Sequence, residues 1–448
     1  MVFGVFSKNF FLVLGTAVFL FFYFFPLGLE PQAQAVVAVT ALALVLWISE
    51  AIPLHATALL AAFLLVIAGG FSPERVFAQF FDRVVVLVLG GFVLAVALSK
   101  HHLDEFLAHK ILGRFSGSAG KLLFGVIAVT AFLSMWMSNS AAAAIAMPIA
   151  LVILANNGLK PLESKFGKAM VLGVAYGATI GGIGTLIGST PNVLTQKFLT
   201  QNGLNFGFVE WGVRGFPFMA AMVVICWLVL KTVFRAEVKT VEIGRHTHAF
   251  SREQKMVAGV FLLTVFLWVT ESIHGIHNSI VALVPIILLY ALDLVDTKDF
   301  QKIGWDSLIL IGGGIALGMA IEESGLSGLL SSFLGGTLSN QPLVVILFLL
   351  GVAGIMLTSF LSNTAASAVL IPIVTSLSVV LGLDMTNLVV AGAIGVSLDF
   401  MFPMGTPPSA LAYSSGYIHS WDMVKAGFII SLVGALVLTF MGFVFWGF

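Results

Sequence analysis

The chain has 448 residues, with 21 Lys or Arg against 21 Asp or Glu, so its formal net charge is zero. Hydrophobic residues make up 59% and charged residues only 9%, against about 25% charged in an ordinary soluble protein. So few charges cannot solvate a soluble fold of this size, and the neutral balance leaves no basic footprint for nucleic acid.

A bilayer core about 30 Å thick requires roughly 20 apolar residues per helix. Apolar runs bounded by charges or Gly/Pro-rich breaks predict eleven spans, at 10–27, 36–54, 55–70, 83–99, 169–187, 213–230, 257–274, 279–293, 307–321, 387–404 and 423–446. The first is read as an uncleaved helix, because Glu30 and Pro31 sit badly before a peptidase site at Ala33-Gln34-Ala35. Two further apolar stretches, 122–156 and 343–382, are each interrupted by a small polar cluster and predict re-entrant hairpins. Residues 101–114 read as an amphipathic helix at the membrane surface. The lone Cys226 lies in an apolar run without an intrachain disulfide partner.

Lys and Arg set the orientation. With the N-terminus inside and both hairpins returning to their side of entry, seventeen fall in the cytoplasm, among them Lys100, Lys168, Arg245, Lys298, Lys302 and Lys425. Only Arg75, Arg83, Lys197 and Arg214 fall outside. The expectation is an integral protein of the plasma or inner membrane, N-terminus cytoplasmic and C-terminus on the opposite side.

The chain also repeats itself. Residues 132–150 align without gaps on 356–374, with eight of nineteen positions identical. Trp47-Ile48-Ser49-Glu50 matches Trp268-Val269-Thr270-Glu271, and Gly90-Gly91 matches Gly313-Gly314. Gly188-Ser189-Thr190-Pro191 answers Gly405-Thr406-Pro407-Pro408. The predicted fold class is therefore an all-α polytopic membrane protein: a leading helix (1–35) and two five-span repeats (36–256 and 257–448), each with one hairpin. Five spans per repeat invert the second copy relative to the first, an architecture of secondary transporters.

Each hairpin breaks at a Ser-Asn-hydroxyl triplet, Ser138-Asn139-Ser140 and Ser362-Asn363-Thr364, with Ser134 and Thr358 four residues earlier. Irregular backbone at membrane depth must face protein or a water-filled cavity. The half-helix ending there offers carbonyls to a cation, and the one beginning offers N–H groups to an anion. Serine and asparagine cap helices and also supply hard oxygen ligands. The Gly-hydroxyl-x-Pro breaks at 188 and 405 add a second such element to each repeat. Isolated Ser, Thr and Asn more often glue helices together; duplication at equivalent positions favours a site, with two cation positions flanking one substrate position. No Lys or Arg lies at any of the four breaks, so an anion there would be balanced by cations that arrive with it.

Asp399 is an acid inside a predicted span, read as a structural, water-facing or cation-tuning carboxylate rather than a ligand. Glu50 and Glu271 read as helix-end caps. His274 and His277 lack a third ligand, and neither a zinc-protease helix nor a nucleophile elbow is present, so no catalytic residue is expected.

Paired Ser-Asn-hydroxyl hairpin tips with Gly-hydroxyl-Pro turns behind them resemble the divalent-anion/sodium symporter family, which includes sodium-dependent dicarboxylate carriers. The resemblance covers essentially the whole chain. It implies one sodium at Ser134, Ser138, Asn139 and Gly188, and a second at Thr358, the Leu361 carbonyl, Asn363 and Gly405. It implies a dicarboxylate at Asn139, Ser140, Ser189, Ser362, Asn363, Thr364, Thr406 and Pro407. It further implies a homodimer in lipid, with a fixed scaffold and a transport domain moving as an elevator. The sequence departs from the family pattern at Ser140, where Thr is usual, at Thr190, where the family often has a second proline, and at Ser409, where Asn is common. These departures bear on substrate identity. The expected activity is sodium-coupled symport of succinate, malate or fumarate. The alternatives are sulfate, citrate or another dianion on the same fold, or a sodium-independent exchanger; a channel or a membrane-embedded enzyme is less supported.

Overall fold

The computed structural model describes residues 8–115, 117–241 and 250–447. Residues 1–7 of the leading segment and Arg245 of the cytoplasmic set lie outside the described residues.

The described chain is helical throughout. Seven helices are long and apolar enough to cross a membrane: Pro31–Ser49, Pro73–Lys100, Asn139–Asn156, Phe208–Val233, Trp305–Glu323, Asn363–Leu381 and Ser420–Phe445. Shorter apolar helices, Lys8–Phe24 and Leu54–Ile67 among them, fill the spaces between. Large apolar side chains such as Phe21, Phe24, Phe266, Ile273, Phe333, Phe440 and Phe445 face outward. Soluble monomers rarely present so much contiguous apolar surface. The protein is an all-α integral membrane protein.

Local chemistry sets most helix starts. Pro31 and Pro73 stand at first-turn positions where a missing N–H costs nothing. Asp82, Ser164, Asp296 and Asp384 each accept a backbone N–H from the turn they cap. Ser251 forms a capping box with Gln254. The surface helix read at 101–114 runs Leu103–Leu112 with a short turn after it. Glu50 closes the helix before it in a left-handed conformation, φ 49°.

The succession of elements recurs along the chain. Pro31–Ser49, Leu54–Ile67, Arg83–Lys100 and Leu103–Leu112 are followed by the hairpin Ala119–Ser134/Asn139–Asn156, then Lys165–Gly181, Thr190–Gln201 and Phe208–Val233. The later half runs Arg252–Val269, Asn278–Ala291, Trp305–Glu323, Leu326–Leu338, the hairpin Leu343–Thr358/Asn363–Leu381, then Met385–Gly395, Pro407–Ser414 and Ser420–Phe445.

The halves interlock reciprocally. Leu54–Ile67 packs on Trp305–Glu323, and Leu283–Ala291 packs on Arg83–Lys100. A Cβ at Gly90 would lie 2.3 Å from the Ala282 carbonyl, and one at Gly313 would lie 2.5 Å from the Ala58 Cβ. Gly90 and Gly313 match by sequence at an offset of 223 residues, and Ala58 and Ala282 stand at 224. Gly90 and Gly313 are thus where the two halves approach closely, Gly90 against the Ala282 backbone and Gly313 against Ala58.

Several boundaries differ from the hydropathy reading. The span expected at 169–187 ends as a helix at Gly181, and that at 387–404 ends at Gly395. The residues beyond each are mostly apolar, with Thr185 in one stretch and Ser397 and Asp399 in the other, but they form open turns wrapped by protein rather than helix. The helix Thr190–Gln201 was not expected, because it is too polar for a hydropathy threshold; it is nonetheless buried from Pro191 to Leu199.

Candidate functional site

Each hairpin arm before the break has sixteen residues, a rise of about 24 Å, short of a full crossing. The first arm is pressed onto Lys165–Gly181 along a glycine stripe. Added Cβ atoms at Gly177 and Gly181 would lie 2.8 Å and 2.2 Å from the carbonyls of Ile127 and Ala131. The second arm meets Met385–Gly395 the same way, with a Gly354 Cβ 2.4 Å from the Gly395 carbonyl carbon. These contacts fix where each polar tip sits.

At the first tip, Ser138 caps the second arm by accepting the Ala141 N–H at 3.3 Å. The buried Ser134 hydroxyl lies 2.8 Å from Asn139 Oδ1 and 2.6 Å from the Ala178 carbonyl, which share its one proton. The following turn is tied to the tip. The Thr185 hydroxyl donates to the Met135 carbonyl, and Asn192 Nδ2 donates to the carbonyls of Gly182 and Thr185 at 2.8 and 2.7 Å. A Cβ at Gly182 would stand 2.4 Å from Asn139 Oδ1 and 3.1 Å from the Gly188 carbonyl. Asn139 and Gly188, two of the expected ligands, therefore meet at Gly182, whose lack of a side chain leaves room for the amide, and Ser134 joins them through its bond to Asn139. Hydroxyl, amide and carbonyl oxygens suit a hard cation.

The second tip repeats the pairing. Thr358 donates to Asn363 Oδ1 at 2.6 Å, and Ser362 caps its helix by accepting the Ala365 N–H at 3.3 Å. Leu361, which leads into that cap, is buried. The turn behind it is built differently. Thr406 donates to Ser409 Oγ at 3.0 Å and accepts the Ser409 N–H at 3.4 Å. Buried Gly405 lies against Asp399: a Cβ there would be 1.7 Å from the carboxylate. The Thr358–Asn363 pair and the Gly405 turn are held by separate contacts.

The expected substrate residues sit at four helix starts, with Ser138, Ser189, Ser362 and Thr406 at the cap positions. Thr190–Gln201 packs on Asn363–Leu381, and Pro407–Ser414 packs on Asn139–Asn156, so each late helix crosses to the other half's hairpin. Ser189 makes no capping bond with its side chain and is half-buried. Asn139, Asn363 and Thr364 are half-buried, Thr406 is buried, and Ser140 and Pro407 are exposed.

A cavity of about 420 Å³ reaches the first tip, lined by Ser138 and Ala141 there and by Ser99, Lys100, Asp299 and Lys302 farther out. Lys100 bonds Asp299 at 2.5 Å and Asp296 at 3.4 Å, and Lys302 reaches Asp299 at 3.2 Å. Burial pushes the Asp299 carboxyl up, but the Lys100 ammonium, the Asp296 N–H and Lys302 outweigh it and hold the carboxyl down at about 2. Among the described residues no group of three His, Cys, Asp or Glu side chains could hold a metal ion.

Asn192 and Gly182 were not among the residues that the sequence assigned to the site. Their spacing from Gly188 was visible, but their contact with the hairpin tip was not.

Interrupted helices, paired hydroxyl–amide tips and a cavity with Lys100, Asp299 and Lys302 in its wall, all within an apolar bundle, are features of a membrane transporter. The chain matches the sodium:sulfate symporter transmembrane region over residues 7–448. It is 32% identical over 463 residues to the sodium-dependent dicarboxylate transporter SdcS of Staphylococcus saprophyticus, covering 95% of this chain and 89% of that protein. It is likewise 32% identical over 464 residues to SdcS of Staphylococcus aureus strain USA300, with the same coverage. Its fold is similar to the YdaH transporter of Alcanivorax borkumensis, with a TM-score of 0.59 at 14% identity over 82% of this chain and 87% of that one. The chain belongs to the divalent-anion/sodium symporter family, the sodium-dependent dicarboxylate transporters among them, and it is a transporter rather than an enzyme.

Proposed function

We propose that this protein couples inward sodium movement to uptake of a C4-dicarboxylate such as succinate, malate or fumarate. The observation that carries the reading is the duplicated hydroxyl–amide pair, Ser134–Asn139 at 2.8 Å and Thr358–Asn363 at 2.6 Å. One sodium is assigned to Ser134, Ser138, Asn139 and Gly188, and a second to Thr358, the Leu361 carbonyl, Asn363 and Gly405. The dianion is assigned to the helix starts between them, at Asn139, Ser140, Ser189, Ser362, Asn363, Thr364, Thr406 and Pro407. Without a fixed cation at these breaks, the bound sodium ions supply the charge that holds the dianion, which makes coupling obligatory.

The reciprocal contacts of Gly90 and Gly313 support two repeats inserted with opposite orientation around a leading helix. Polar contacts across the chain also support the assigned sidedness. Lys100 with Asp296 and Asp299, and Lys168 with Asp422 at 2.9 Å, join groups assigned to the cytoplasm. Lys197 with Asp82, Arg75 with Glu323, and Arg214 with Asn387 join groups assigned outside. The cavity beside Lys100 then opens inward. In an elevator cycle the hairpins and the interrupted helices behind them move as the transport part of a homodimer, while the leading helix and early spans of each repeat stay fixed.

Proteoliposomes with an inward sodium gradient test this. Concentrative succinate uptake in sodium and not in choline is expected, and it is lost in Asn139→Ala and Asn363→Ala. Near-normal uptake by both variants would overturn the site. The same fold carrying sulfate is a second reading, favoured by the missing methyl at Ser140 and by the sulfate named in the family match. Sulfate uptake that outruns succinate would select it.

A further inference from the structure

The two turns behind the hairpins differ at one position. Gly182 stands six residues before Gly188, and Asp399 stands six residues before Gly405. In the first half that position faces the cation cluster, since an atom added to Gly182 would land between Asn139 Oδ1 and the Gly188 carbonyl. In the second half the equivalent residue carries a carboxylate, and that carboxylate lies directly against Gly405.

Asp399 is 1% exposed, and neither carboxyl oxygen holds a hydrogen bond of good geometry, although the Met401 N–H bears on the group. Among the described residues no Lys, Arg or His pairs with it. Tyr176 is near, but its hydroxyl donates to the Met423 carbonyl at 3.2 Å. A carboxylate buried without a partner is strongly destabilising as an anion; it stays ionised only where it meets a cation, and is otherwise protonated. The helix that follows is capped by Thr406 and not by Asp399, and residues 396–406 contain no Lys or Arg for the carboxylate to neutralise.

We infer that Asp399 is a direct anionic ligand of the second cation position, so that the two positions differ by one fixed negative charge. This rests on the cation reading of the hairpin tips and deepens it. The first position offers only neutral oxygens and depends on the arriving dianion for charge balance. The second balances its own cation and fills first, before any anion binds. Loading is therefore ordered by a residue the first half lacks.

The test is sodium-dependent thermal stabilisation of the purified protein without substrate, titrating sodium against choline at constant ionic strength. Asp399→Asn keeps the shape of the side chain, and Asp399→Gly gives the turn the residue found in the first half. Both variants are expected to need at least tenfold more sodium for half-maximal stabilisation, while melting no lower than the parent in choline. In the Asn139→Ala background the parent's tight sodium response persists, and adding Asp399→Asn removes it. Unchanged sodium half-effects in both single variants would overturn the inference while leaving the transport reading intact. A parent protein with no sodium response would overturn both.

Discussion

Gly182→Ala tests the geometry of the first cluster without removing any oxygen from it. The new methyl would sit 2.4 Å from Asn139 Oδ1, a separation that real Cβ atoms do not adopt, so the amide must retreat by about half an ångström or more. Asn139 can swing because Oδ1 is the end of a side chain, and the fold should survive. The Ser134 bond at 2.8 Å would be broken, and the amide would leave the place assigned to the ion. An interaction between a neutral oxygen and a charge contributes about 1.5–3 kcal/mol, or about ten- to hundredfold in affinity. Sodium half-saturation of succinate uptake should rise by that factor, with normal expression and melting temperature. Two neighbours serve as controls. Gly181→Ala drives a methyl to 2.2 Å from the Ala131 backbone carbonyl, which cannot swing away, and should lower the melting temperature outright. Gly328→Ala meets nothing within 4 Å and should behave as the parent. Sodium dependence unchanged in Gly182→Ala would refute the assignment of Asn139 to the ion.

Ser140→Thr restores the methyl usual in the family at an exposed position of the first tip, and should alter the ranking of dianions in competition assays more than it alters sodium affinity. Equal scaling of all substrates would defeat that expectation. Asn192→Ala leaves the buried carbonyls of Gly182 and Thr185 without their donor and should destabilise the protein by about 2 kcal/mol or more; calorimetry in detergent reads this, and an unshifted transition would show that the turn holds without the amide. Asp299 titrates at about 2 in the folded protein against about 3.9 in an unfolded chain. Its contribution is therefore present above pH 4 and is lost as pH falls toward 2. Asp299→Asn should melt lower at neutral pH and lose less stability than the parent between pH 4 and 2; parallel melting curves would rule out the ion cluster as the cause.

Hydropathy and capping are local properties, and what depends on them was legible in the residues alone. The membrane class, the helix breaks at the Ser-Asn-hydroxyl tips and the hydroxyls four residues before them follow from sequence alone, because a helix break leaves its capping residues in place whatever surrounds it. The helix ends at Gly181 and Gly395 were not legible. An apolar run in open turns has the same composition as one in a helix when protein buries both. The polar helix Thr190–Gln201 was missed for the converse reason, since its burial comes from neighbouring helices and not from its own hydropathy. Gly90 and Gly313 were visible as a repeat, but only the packed halves explain them, because each glycine's partner lies nearly two hundred residues away in the chain or farther. Gly182 and Asp399 make the same point at the site. Their equal distances from Gly188 and Gly405 are a property of sequence, whereas the amide against one and the buried, unpaired carboxylate of the other exist only once the hairpins and turns are brought together.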